Sequence, residues 1–411
     1  MHSSIVGFIN KKLNIDGHYF IHGGFWLGLG QIVTLLSGLA TTALFAHYLL
    51  PNDFGVYKYL IGLSAILASF SLTGLGQSIL QAAAKKHYAF FKETFQLNFI
   101  YSLGISFISV CFSLYYSLNN NAALALGCLM IAALQPVINT FQFIPSFLQG
   151  SRQFKQSTKL HTIRMSFITL LSLGALLFTQ NILILFFTYL FSYAITNIGS
   201  IFFYNYSSDP TPTVVREKFV AYAKHSSFRN VISIVAQRAD SIVIFTQLGA
   251  TELAVYSIAM VIPEQIKGSF KNLATLVLPK YSRHEDQSII KKGLTKRSLQ
   301  LLVVLLLIIT ALYIFLSPFL FKIIFPKYTS AILYSQILAL SFPAMVALLP
   351  VSALQAGLAE RKLYKLLIIE SIASLSFLFF FVMNYGLIGA IFAKVCTRYV
   401  TSFFNYYYIY K

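Results

Sequence analysis

Uninterrupted apolar runs of about 20 residues or more, separated by short polar or basic breaks, recur from one end of this 411-residue chain to the other. A bilayer core needs about 20 apolar residues at ~1.5 Å each, so runs of this length in series predict a polytopic helical membrane protein. They lie near 25–49, 57–83, 96–118, 122–149, 165–179, 182–204, 228–248, 254–278, 299–320, 331–357, 366–383 and 387–407, which predicts about twelve transmembrane helices, the fifth the shortest. The runs are continuous instead of alternating, which excludes a β-barrel. Composition agrees: 57% hydrophobic and 10% charged residues exclude a soluble domain, which carries roughly 25% charged residues. Cys111, Cys128 and Cys396 all sit inside apolar runs, so neither a disulfide framework nor a cysteine metal site is expected.

The formal charge of +19 is unevenly distributed. On one side, 22 Lys and Arg fall in the breaks, in groups such as Lys85, Lys86 and Lys92, or Arg152, Lys155, Lys159 and Arg164; the opposite breaks hold Lys58, Lys322 and Lys327. Basic residues in short loops stay in the cytoplasm, so both termini are predicted to be cytoplasmic. The charge is then a topology signal and a contact with anionic membrane lipids, not a nucleic-acid surface.

The chain also repeats itself. Phe45 to Tyr57 and Ile244 to Tyr256 align at a shift of 199 residues, with Leu49, Asp53, Val56 and Tyr57 meeting Leu248, Glu252, Val255 and Tyr256. Pro145 to Gly150 (PSFLQG) is echoed by Pro350 to Gly357 (PVSALQAG), each before a basic loop. The expected organisation is a cytoplasmic segment 1–22, a first lobe 23–206, a cytoplasmic linker 207–227 and a second lobe 228–411. Six helices per half keep both halves in one orientation, which predicts two six-helix lobes related by a pseudo-twofold axis along the membrane normal, as in many carriers.

Arg238, Asp240 and the stretch Ile242 to Tyr256 resemble the seventh-helix signature of polysaccharide and O-antigen flippases, and Leu49 to Tyr57 is similar to their first-hairpin signature, with Pro279 fitting the same pattern. The resemblance implies the multidrug/oligosaccharidyl-lipid/polysaccharide exporter superfamily. Its flippase branch moves undecaprenyl-pyrophosphate-linked glycans, such as O-antigen or other surface polysaccharide units, across the bacterial inner membrane, alongside other glycan-assembly proteins.

Charge inside the membrane is costly and tends to line a cavity. Apart from Lys58 at the edge of the 57–83 run, counted with the external breaks, the first half has none within the runs above, whereas the second has Arg229, Arg238, Asp240, Glu264, Lys267, Lys271, Glu370, Lys394 and Arg398. Arg238, Lys267, Lys394 and Arg398 are the candidates for a cationic site that neutralises a lipid pyrophosphate; the competing reading is ion pairing within the lobe. In the fourth run Gln135, Asn139 and Gln142 share a face whose amides suit either sugar hydroxyls or helix association. Asp240 and Glu264 are the candidates for coupling to a sodium ion or proton, since no phosphate-binding loop for a nucleotide occurs.

No catalytic residues, metal site or resident cofactor are expected. A cation-coupled drug or metabolite exporter of the same superfamily is the alternative, but it is expected to carry an acidic residue deep in its first half. A membrane glycan polymerase or ligase usually needs a long external loop, and the longest external break here, Phe321 to Ser330, is ten residues.

Overall fold

The computed structural model describes residues 17–203, 211–276, 296–348 and 360–410, and its regular elements there are all helical. In chain order they are α1 (Gly17–Tyr48), α2 (Pro51–Ser69), α3 (Leu75–Ala84), α4 (Ala89–Leu118), α5 (Ala122–Phe141), α6 (Ile144–Gly150), α7 (Phe154–Phe178) and α8 (Ile182–Gly199). After the 204–210 segment come α9 (Thr213–Leu248), α10 (Ala250–Leu276), α11 (Lys296–Ile324), α12 (Ala331–Ala339), a 3-10 segment Phe342–Ala347, and α13 (Glu360–Tyr410). Among the described residues, eight stretches are long and apolar enough to cross a membrane: Gly28–Tyr48, Ala89–Leu118, Ala122–Gly150, Phe154–Phe178, Ile182–Phe202, Thr213–Leu248, Gln300–Ile324 and Lys362–Tyr408. The α10 helix is not among them, because Glu252, Glu264, Lys267 and Lys271 reduce its apolarity.

The short breaks have clear local causes. Asn121 and Asn181 cap α5 and α8 through their side-chain oxygens, accepting from Leu124 N at 3.2 Å and Leu183 N at 2.9 Å. Gly249, at φ 97°, closes α9 by donating to Ile244 O and Phe245 O, and α10 starts at the next residue. Gly386, at φ 59° and ψ −135°, breaks α13 where the sequence places the last external turn; that conformation is closed to side-chain-bearing residues.

Four runs differ from the expected spans. The 57–83 run is two helices, because the backbone turns after Ser69 and the Ser69 and Ser71 hydroxyls donate to Ile66 O and Ala68 O at 2.6 and 2.8 Å. The 122–149 run divides before Ile144, where Pro145 opens α6, while Pro136 stays inside α5. The run expected at 165–179 begins at Phe154, eleven residues earlier, so Lys155, Lys159, His161 and Arg164 are helical residues and not loop residues. Their polarity obscured the helix start. The 331–357 run is interrupted after Ala339, and Pro350 with the rest of it lies outside the described residues. Likewise, residues 213–227, expected in the connection between halves, form the first turns of α9, with Phe219 and Ala223 buried.

Two compact units emerge: Met1–Tyr48 with Leu60–Val235, and Leu49–Tyr59 with Ala236–Lys411. In the first, α4 and α5 form a hairpin, α1 packs on α7, and α8 packs on α5 and α7. Phe90, Phe91, Phe147, Leu148, Leu160 and Phe219 fill one core there. The second has a core of Leu306, Tyr313, Phe342, Met345 and Val346, and it includes the start of α2. Gly55 sits against the α9–α10 junction so tightly that a β-carbon would lie 1.8 Å from Ala250 O. One turn on, Tyr59 stacks on Phe245 at 4.0 Å between centroids. The Leu49 to Tyr57 motif is therefore explained partly by packing: its glycine is the contact point.

Candidate functional site

Charged residues of the second unit come together from three helices. On α9, Asp240 is 6% exposed; its Oδ1 accepts from Ser241 N at 2.8 Å and its Oδ2 accepts from Tyr256 OH of α10, also at 2.8 Å. Lys394, from the second part of α13, meets the same Oδ2 at 2.8 Å. One turn beyond Lys394, Arg398 pairs with Glu264 of α10, and its other terminal nitrogen donates to Ser341 Oγ at 2.8 Å. Ser341 lies at the break between α12 and the 3-10 segment, so the interruption of that run brings a polar partner to the arginine. Lys267 completes the second cluster at 3.7 Å from Glu264. The two clusters are close enough for Glu264 to feel the charges of both Asp240 and Lys394.

Of the sequence-derived candidates, Lys267, Lys394, Arg398, Asp240 and Glu264 are thus brought into two neighbouring ion-paired clusters. Arg238 is different: it is exposed and makes no ion pair among the described residues. Its charged neighbour is Lys58 of α2, whose ammonium lies 5.0 Å from the centre of the Phe54 ring. Sequence reasoning missed Lys58 by assigning it to an external loop. The available signal was its spacing: Lys58 follows Gly55 by three residues, on the helix face that packs into the second unit. Counting Lys58, Arg238, Lys267, Lys394 and Arg398 against Asp240, Glu264 and the exposed Glu370 leaves more basic than acidic groups.

The amide candidates of α5 occupy a separate place in the first unit. Gln135 and Asn139 are 5% and 1% exposed. Gln135 Oε1 accepts from Ser64 Oγ at 3.1 Å, and its Nε2 donates to Asn139 Oδ1 at 3.0 Å. Gln142 Nε2 donates to that same oxygen at 3.3 Å, while Asn98 Nδ2 of α4 donates to Asn139 O at 2.7 Å. This network ties α2, α4 and α5 together. Arg229, also in this unit, reaches Gln77 Oε1 at 3.4 Å, and the side chain of Lys271 lies outside the described residues.

A second polar group in the first unit was not anticipated. Arg164 and His161 of α7 bridge to Asn197 of α8 and Thr34 of α1, with Arg164 Nη1 donating to Asn197 Oδ1 at 3.3 Å. Among the described residues, no set of three His, Cys, Asp or Glu side chains is placed to hold a metal ion.

The family model for polysaccharide biosynthesis protein matches residues 44–333, more than two thirds of the chain. The chain belongs to that family. Solved structures agree at the level of fold. The lipid II flippase MurJ, in an inward closed conformation, superposes with a TM-score of 0.71 at 13% identity, covering 95% of this chain and 88% of that one. An inward-facing multidrug-resistance MATE transporter of the MOP superfamily gives 0.65 at 15% identity, with 92% and 94% coverage. A MOP-superfamily transporter from Pyrococcus furiosus, whose binding pocket is of reverse polarity, gives 0.57 at 13%, with 95% and 94%. A comparison with curated protein sequences gives no match. The family member described here is a multi-pass membrane protein of the polysaccharide biosynthesis protein family, with the fold seen in MATE and MurJ.

Proposed function

We propose that this transporter flips an undecaprenyl-pyrophosphate-linked oligosaccharide from the cytoplasmic to the outer leaflet of a bacterial inner membrane, with no covalent change to it. In this reading twelve helices form two six-helix lobes related by a pseudo-twofold along the membrane normal, divided near residues 207–227, and open alternately, with both termini in the cytoplasm. Arg238 is the observation that carries the proposal: an exposed guanidinium on a spanning helix, near Lys58 and without a carboxylate partner among the described residues. A guanidinium binds phosphate oxygens bidentately, and Lys58 adds a second positive charge. Lys267, Lys394 and Arg398 already have acidic partners, so they act by exchanging carboxylate for phosphate when the substrate arrives.

Coupling to a sodium ion or proton through Asp240 and Glu264 belongs to the same proposal: a cation taken up by either carboxylate releases Lys394 or Arg398 toward the substrate. The amides of Gln135, Asn139 and Gln142 would meet the glycan only if their present hydrogen bonds opened. A drug exporter of the same superfamily is the weaker reading, because an organic cation would meet a net basic site. The test is export of lipid-linked glycan by cells carrying Arg238→Gln or Lys58→Gln. Loss of export with normal amounts of inserted protein supports the proposal, and normal export by the double variant refutes it.

A further inference from the structure

In the first unit, Arg164 is the tenth residue after the start of α7, about 15 Å along a helix that is long and apolar enough to span the membrane. Its contacts fix the direction of each hydrogen bond around it. A guanidinium only donates, so the 3.1 Å contact between Arg164 Nη2 and His161 Nδ1 makes Nδ1 the acceptor. The ring proton is then on Nε2, which donates to Thr34 Oγ1 at 2.7 Å, and Thr34 in turn donates to Gly30 O at 2.9 Å. On the other side, Asn197 Oδ1 accepts from Arg164 Nη1, while its amide nitrogen donates to Ile138 O at 3.0 Å. Every group in this chain is satisfied except in one respect. Among the described residues the arginine charge meets only neutral partners, and its buried Nε–H has no acceptor.

A membrane-embedded cation held in place by neutral groups, with a donor left over, is a site for an oxyanion. We propose that Arg164, positioned by His161 and Asn197, binds an oxyanion on the transported molecule, either the carboxylate of an acidic sugar or a phosphate. Arg164 and His161 are each half-buried overall, so part of the Arg164 side chain is exposed although its Nε is buried. The site belongs to the first unit, whereas Arg238 and Lys58 belong to the second. Its anion binding does not depend on the pyrophosphate reading; only the assignment of the anion to a lipid-linked substrate rests on it.

The single tryptophan of the chain supplies a probe. Trp26 is on α1, 5.6 Å from Lys155 Nζ of α7, the two helices that Thr34 and His161 join. Purified full-length protein in detergent is titrated with sodium glucuronate and, separately, with inorganic pyrophosphate, at ionic strength held constant with sodium chloride. A saturable change in Trp26 fluorescence is expected with at least one anion, and which one distinguishes a carboxylate from a phosphate source. Arg164→Gln should weaken it at least tenfold, and Lys224→Gln, which removes an exposed charge elsewhere, should leave it unchanged. Should Arg164→Gln fail to fold, Asn197→Asp keeps the arginine but supplies its counter-charge from within, and should also abolish the response. No saturable response to either anion, or an equal response in the wild type and whichever of these two site variants folds, overturns the proposal. Export by Arg238→Gln tests the pyrophosphate site independently, so the two ideas can fail separately.

Discussion

Replacing Asp240 with Asn should destabilise the second unit mainly through the charge it leaves behind. The amide can still accept from Ser241 N, and Tyr256 OH can reverse its role to accept, so the hydrogen bonds survive in number. What is lost is the 2.8 Å ion pair with Lys394, whose side chain is 19% exposed against 9% for that of Asp240. Removing one partner of a buried pair costs about 3–5 kcal/mol, and a lone charge in a spanning helix about 2.5–3.5 kcal/mol by insertion scales. The residual exposure of Lys394 argues for the low end, about 3 kcal/mol. At about 2–4 °C per kcal/mol for a unit of this size, the apparent Tm in detergent should fall by about 6–12 °C. Lys394→Met alone should cost a comparable amount, since it strands the carboxylate instead. The double variant Asp240→Asn with Lys394→Met leaves neither charge, so its loss should fall short of the sum by about 2 kcal/mol or more. Circular dichroism melts of the four proteins measure this cycle. A purely additive loss would show that the pair contributes nothing of its own, and would remove the basis for Lys394 as a group released by cation binding at Asp240.

Two further expectations follow from the packing and from the charge distribution. Gly55→Ala should lower the melting temperature and the yield of folded protein, because its new β-carbon would lie 1.8 Å from Ala250 O, whereas Gly104→Ala, with nothing within 4 Å, should be neutral or slightly stabilising. Cysteines placed at Asn119 and Asn384 on an otherwise cysteine-free background should react with an impermeant thiol reagent from outside the cell, and one at Gln156 should not; the opposite labelling pattern would reverse the orientation.

The sequence revealed most where a membrane protein has least freedom. A bilayer forces the backbone to satisfy its hydrogen bonds within each helix, so several helices and the short turns between them could be read from apolar length and from Asn121, Asn181, Gly249 and Gly386. Interruptions inside an apolar run were hidden, since no single residue marks them: the turn after Ser69 depends on serine hydroxyls bonding backward, and that after Ala339 on a 3-10 segment that hydropathy cannot distinguish from helix. The same blindness affected the sites. The charges of α9, α10 and α13 were visible as charges out of place, but which acid meets which base is a matter of helix rotation, and spacing along one helix cannot supply it. Lys58 and Arg164 were missed for a more specific reason. Lys58 was counted with the few external basic residues at the start of its run, and Arg164 with a cytoplasmic basic group, where the positive-inside pattern accounted for it too easily. Basic residues that continue the 3.6-residue periodicity into the adjoining span, as Arg164 does with His161 three residues before it, are better treated as part of the helix. That criterion would have moved the start of α7 to the correct side of Arg164 and placed that cation within the helix.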